Sequence, residues 1–289
     1  MPIDNPVIKH KKNGINKTSD PFVTFYEGKY YHCYDLDNKI GISCFDSLDM
    51  MGSDNIKTVI AVESNELFQH YAPELHKIGN RWYIYTSPCR KNSENHFVCV
   101  YESEDENPVG KYHCLGTVEG IGEKWSIDAT VFEYLGKRYM LYTTCANIYL
   151  AEMASPNKLI GEIVEITSCE YEWETVMSGV VEGPCVIFNG ETPYLVYSAS
   201  DSRCDDYCLG LIRFVGGDIL NPQNWVKQST PILTKKVGMY GPGHCSFTYK
   251  DGQMYCVFHA NLQSGTGWQG RSVFIKKCHF ERETIIFEN

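Results

Sequence analysis

The sequence predicts an all-β fold, a five-bladed β-propeller with four-stranded antiparallel blades. Three observations predict it: one strand–turn–strand pattern occurs five times, apolar residues alternate rather than recur at helical spacing, and the 13% aromatic content suits sheets packed face to face.

The five copies are SDPFVTFYEGKYYHCY, HYAPELHKIGNRWYIY, IDATVFEYLGKRYMLY, VEGPCVIFNGETPYLVY and GHCSFTYKDGQMYCVF. Their turn glycines, Gly28, Gly79, Gly136, Gly190 and Gly252, lie 51, 57, 54 and 62 residues apart. Six residues after the glycine, four copies carry an aromatic: Tyr34, Tyr85, Tyr142 and Phe258. The fourth copy has Tyr197 one place later, which suggests a one-residue insertion. A third strand follows each hairpin (IGISCF, HFVCVYES, NIYLAEM, YCLGLIRF, RSVFIKK), with a weaker run beyond, making the four strands of a propeller blade. No Pro/Gly/Ser tract or charge run divides the 289 residues, so a single domain over 1–289 is expected.

A net charge of -10 argues against nucleic acid or an anionic membrane as partner, since both are bound through clustered Lys and Arg. A small molecule or oligosaccharide fits better. The opening MPIDNPVIKHKKNG has no apolar leader core, and no stretch approaches the ~20 apolar residues of a membrane span, which gives a cytoplasmic expectation. The 13 cysteines scatter through apolar strands without the spacing of a zinc site or disulfide framework; buried free thiols are expected. Cys204 and Cys208 in CDDYC lack a second ligand pair.

Eight residues before the turn glycines stand Asp20, Tyr71, Asp128, Glu182 and His244. The first strand of every blade lines the central channel, so these positions converge at one mouth. Singly, Asp20 before Pro21 reads as a turn former and Asp128 as a strand-end cap. Together they form a costly cluster of like charges, which points to a functional site. Glycoside hydrolysis needs such a site: one carboxylic acid protonates the leaving oxygen while a second carboxylate acts on the anomeric carbon or activates water.

The ordered set DP, APE, IDA, EGP and GPGH resembles family 43 of the glycoside hydrolases, in the furanosidase clan of five-bladed propellers, from SDPFV to GRSVFIKK. The resemblance implies Asp20 as general base, Asp128 as the residue that tunes and orients the acid, and Glu182 as general acid. It implies that His244 contributes to a largely water-coordinated Ca²⁺ at the channel and that Arg271 lies beside the acid site in contact with sugar or carboxylate. Tyr71 stands where many members have Trp before APE. With Phe22 and Trp125 it is a candidate wall or floor for a sugar ring.

Single-displacement hydrolysis with inversion follows, for which the carboxyls of Asp20 and Glu182 should stand about 6.5–9.5 Å apart. The family's sugars are arabinofuranosides and xylosides of plant cell walls, xylan among them. The chain ends soon after the fifth blade, without the β-sandwich that family β-xylosidases append, so an α-L-arabinofuranosidase is expected. A β-xylosidase, an arabinanase and a catalytically silent carbohydrate-binding propeller are the alternatives.

Overall fold

The computed structural model describes residues 3–10 and 18–288. Its strands form five four-stranded antiparallel sheets, each a simple meander in chain order. Blade 1 is β1 (Phe22–Tyr26), β2 (Lys29–Asp35), β3 (Lys39–Phe45) and β4 (Thr58–Glu63). Blade 2 is β5 (Leu67–Ile78), β6 (Arg81–Arg90), β7 (Cys99–Ser103) and β8 (Tyr112–Thr117). Blade 3 is β9 (Ile127–Tyr134), β10 (Lys137–Thr144), β11 (Asn147–Ser155) and β12 (Lys158–Thr167). Blade 4 is β13 (Val181–Asn189), β14 (Thr192–Ala199), β15 (Cys208–Phe214) and β16 (Trp225–Lys227). Blade 5 is β17 (Tyr240–Lys250), β18 (Gln253–Asn261), β19 (Arg271–Glu281) and β20 (Thr284–Phe287).

The ring is closed. β1 contacts β5, β5 contacts β9, β9 contacts β13, β13 contacts β17 and β17 returns to β1, so the first strands surround the axis. Apolar clusters fill the spaces between neighbouring blades. Trp82 and Ile84 of blade 2 pack on Ile40 and Ile42 of blade 1, and Val257, Val273 and Ile275 of blade 5 pack on Val23, Tyr30 and Phe45 of blade 1. The early residues fasten this last seam: Ile8 bridges Val273, and the Asn5 side chain exchanges hydrogen bonds with the backbone of Ile275.

Each inner hairpin turns through two residues, and the glycine does not hold the same place in all five. In blades 1, 3 and 5 it is the second loop residue (Gly28, Gly136, Gly252), after Glu27, Leu135 and Asp251, and both positions have positive φ. In blades 2 and 4 it is the first (Gly79, Gly190), followed by Asn80 and Glu191. These are the two turn geometries whose twist matches a hairpin, with two positive φ values or with one on a leading glycine. A repeat aligned on glycine is therefore one residue out of register in blades 2 and 4. Tyr197 needs no insertion; it follows Glu191 at the distance at which Tyr34 follows Gly28.

The cysteines are free thiols, most of them buried within the blades. The Cys204 and Cys208 thiols turn to the carbonyls of Val176 and Ala199. Among the described residues, no helix is long and apolar enough to cross a membrane.

Candidate active site

With the loops in register, the position eight residues before the second loop residue holds Asp20, Ala72, Asp128, Gly183 and His244, and all five have left-handed φ, between 44° and 57°. Such a φ is uncommon away from glycine and strains an L residue, so its occurrence at one phase of every blade marks a shared kink where the inner strand enters the ring. Tyr71 and Glu182 precede the kink instead of occupying it. The expectation that they are equivalent to Asp20 is corrected accordingly. Glu182 still reaches the same space as Asp20 and Asp128, because the charge of one residue, His244, acts on all three.

A second phase of the repeat braces the kinks. Seven residues after the second loop residue, at the end of each second strand, stand Asp35, Ser87, Thr143, Ser198 and His259. Ser87 Oγ accepts the N–H of Asp128 at 3.2 Å, Ser198 Oγ that of His244 at 2.7 Å, and His259 Nδ1 that of Asp20 at 3.2 Å, each from the preceding blade. Asp35 likewise accepts the His70 N–H at 3.1 Å. Thr143 Oγ1 has no partner among the described residues, and the Gly183 N–H goes instead to Asp128 Oδ2 at 3.0 Å. The kinks at Asp20, Asp128, Gly183 and His244 thus have their backbone donors satisfied across a blade seam, while in blade 2 the seam bond goes to His70, two residues before the kink at Ala72. Asp35, Thr143, Ser198 and His259 each stand one place beyond the repeated aromatic (Tyr34, Tyr142, Tyr197, Phe258), whereas Ser87 stands two places beyond Tyr85, where the glycine alignment is out of register.

The three carboxyls have different proton affinities. Burial alone would raise Asp20, but His244, Arg271 and His259 hold it far below the ordinary carboxylate value; their ring and guanidinium nitrogens lie 3.2–3.3 Å from its Oδ1. Burial, with the Asp20 charge adding to it, lifts Asp128 to about 6 against the pull of His244 and the Gly183 N–H. Burial and the Asp128 charge push Glu182 up to about 7, opposed by the Tyr207 hydroxyl, which donates to Glu182 Oε1 at 2.9 Å. Burial works against the charged form of His244, but Asp20, Asp128 and Glu182 outweigh it and raise its pKa. Burial and Arg271 keep His259 neutral, down at about 3. One channel therefore holds an ionised carboxylate and a carboxyl that keeps its proton near neutrality.

Tyr207 escaped the sequence reading because it lies on the approach to β15, outside the repeated hairpin. Its buried ring takes the space a side chain at Gly243 would need, since a Cβ there would meet the ring at 2.1 Å. The glycine of GPGH thus makes room for the tyrosine that touches Glu182. Asp35 was also missed; burial lifts its carboxyl to about 7.

The expected sugar-binding residues divide. Arg271 is 9% exposed and bonded to Asp20 through Nη1. Tyr71 is 41% exposed, stacks on His96 at 4.0 Å, and senses the charges of Asp20 and Arg271. Trp125 is exposed on the loop into β9. Phe22 does not line the channel: its ring packs 5.0 Å from His76 in the cluster between blades 1 and 2. In β1, Phe22 and Thr24 meet blade 2 and Val23 meets blade 5.

The donors suit a protein-held Ca²⁺ poorly. Such an ion takes about six to eight oxygens; His244 Nδ1 is engaged with Asp20 at 3.3 Å, which leaves Nε2 as its one ligand atom for the largely water-coordinated ion that the resemblance implies. Among the described residues, no three His, Cys, Asp or Glu side chains converge as a ligand set. No step below runs through a metal.

Residues 3–285 match the family model Glycosyl hydrolases family 43. The chain is 31% identical over 278 residues to an extracellular exo-α-(1→5)-L-arabinofuranosidase of Streptomyces chartreusis, covering 90% of this chain and 82% of that protein. It is 34% identical over 194 residues to the enzyme of the same name from Streptomyces avermitilis, covering 63% and 40%. Among solved structures, an α-L-arabinofuranosidase from Lactobacillus brevis superposes with a TM-score of 0.87 at 25% identity, covering 98% of this chain and 94% of that one. The names of the two Streptomyces relatives correct the cytoplasmic expectation, since both are extracellular.

Proposed function

The chain belongs to glycosyl hydrolases family 43, and we propose that it is an inverting α-L-arabinofuranosidase that releases terminal arabinose from oligosaccharides. The observation that carries the mechanism is the opposed electrostatics of Asp20 and Glu182 within one channel. Two carboxyls whose surroundings push their proton affinities apart are suited to act as base and acid. The sugar is supported by the relatives, which are named arabinofuranosidases.

In this reading Asp20, ionised beside Arg271 and His244, takes a proton from a water whose oxygen attacks the anomeric carbon. Glu182, protonated, gives its proton to the glycosidic oxygen as the bond from carbon to that oxygen breaks. The products are an arabinose of inverted configuration and a free hydroxyl on the leaving group. Asp20 ends protonated and Glu182 ionised, and exchange with solvent restores both. Asp128 acts through Glu182: its charge favours the protonated acid, and its bond to the Gly183 N–H fixes the backbone beside it.

The test is Glu182→Gln assayed on arabinobiose and on a dinitrophenyl arabinofuranoside, whose leaving group needs no proton. We expect a loss of about 10³-fold on the first and far less on the second, with proton NMR of wild-type product showing the inverted anomer first. Equal losses on both substrates, or a retained anomer, would overturn the mechanism. A wild type silent on every arabinoside would overturn the sugar.

A further inference from the structure

Beside the channel lies a cavity of about 270 Å³ lined by Val180, Glu182, Asp201, Ser202, Arg203 and Trp268. It shares Glu182 with the site above but neither Asp20, Asp128 nor His244. An acid that protonates a glycosidic oxygen stands between the two sugars that oxygen joins. Space reached from the acid and not from the base is therefore on the side of the leaving group.

The wall of this cavity combines an ion pair with an exposed indole. Arg203 grips Asp201 with two bonds, Nε to Oδ1 at 2.8 Å and Nη2 to Oδ2 at 2.6 Å, and Ser178 donates to the same carboxylate at 2.7 Å. Trp268, 55% exposed on the loop between β18 and β19, donates its indole N–H to Ser202 Oγ at 3.0 Å. The Arg203 guanidinium lies 5.7 Å from the indole centroid. Arg271, which holds Asp20, also reaches the Ser202 carbonyl at 3.5 Å, so the loop is tied to the base side of the site. An open indole face held in place by its own N–H is a platform for the C–H face of a sugar ring.

We infer that Trp268, flanked by the Asp201–Arg203 pair, forms the leaving-group subsite and stacks against the second sugar ring. The inference rests on the arabinofuranosidase reading and adds to it the residue that senses the second sugar. The test compares arabinobiose with trifluoroethyl α-L-arabinofuranoside, which has an activated leaving group but no second ring. For Trp268→Ala, kcat/KM on arabinobiose is expected to fall about 10- to 30-fold, the scale of one lost ring-stacking contact, while the trifluoroethyl glycoside and competitive inhibition by arabinose change less than about 2-fold. Trp268→Phe, which keeps an apolar ring, should recover part of the loss and guards against a folding defect in the alanine variant. Equal changes on both glycosides, or none on arabinobiose, would overturn the subsite while leaving the arabinofuranosidase reading intact. A wild type that cleaves neither glycoside overturns that reading and the subsite with it.

Discussion

Asp128 Oδ2 accepts the backbone N–H of Gly183 at 3.0 Å, joining the left-handed kinks of two adjacent blades. This bond fills the place that a side chain from the second strand of the preceding blade fills at Asp20, Asp128 and His244. It sets a carboxylate beside the residue next to Glu182, where its charge favours the protonated acid.

Asp128→Asn keeps an oxygen for the Gly183 N–H but removes the charge. A negative neighbour raises the pKa of an acid, so neutralising it lowers Glu182 from about 7. The alkaline limb of the kcat/KM profile should move to lower pH and kcat should fall by about 10²-fold. An unmoved limb would show that Asp128 acts through geometry alone.

Arg271→Ala removes a cation that holds Asp20 below its ordinary value of 3.8. The Asp20 pKa then rises, and the acid limb of kcat/KM, which requires the ionised base, moves to higher pH. Stability follows the same sign. A carboxylate with a depressed folded pKa stabilises the fold above its unfolded value and loses that contribution as pH falls. Denaturant titrations should therefore show a smaller loss of stability on acidification in the variant than in the wild type.

Gly210→Ala tests the packing of a blade rather than its chemistry. Gly210 faces Tyr197 across β14 and β15, and a Cβ there would lie 2.3 Å from the phenol ring. Tyr197 is fully buried and its hydroxyl is bonded to Glu174 at 2.7 Å, so it cannot yield easily. A loss of about 1–3 kcal/mol is expected, seen as a lower denaturation midpoint with unchanged kcat in the folded fraction.

Much of this was legible in the linear chain because a propeller repeats. Alternation gave the strands, and the recurrence of one hairpin gave five blades. Phase within the hairpin singled out Asp20, Asp128 and His244. The glycine alignment failed by one residue in blades 2 and 4 because a two-residue hairpin can place its glycine first or second, and sequence spacing does not distinguish the two. Glu182 was found despite that error, since it adjoins the kink that Gly183 occupies. Phe22 was misplaced because alternation tells which residues share a face but not which face meets the next blade.

Strand period and repeat phase are local properties of a chain, so the fold, the family resemblance and three candidate acids could be read along it. The proton affinities of those acids were not readable there, because they arise from groups brought together by blade packing. Asp20 is ionised because Arg271, 251 positions away, and two histidines close on it across the seam between the last blade and the first. Glu182 keeps its proton because ring closure buries it beside Asp128. Proton affinity depends on distances through space, and those are set when the blades pack.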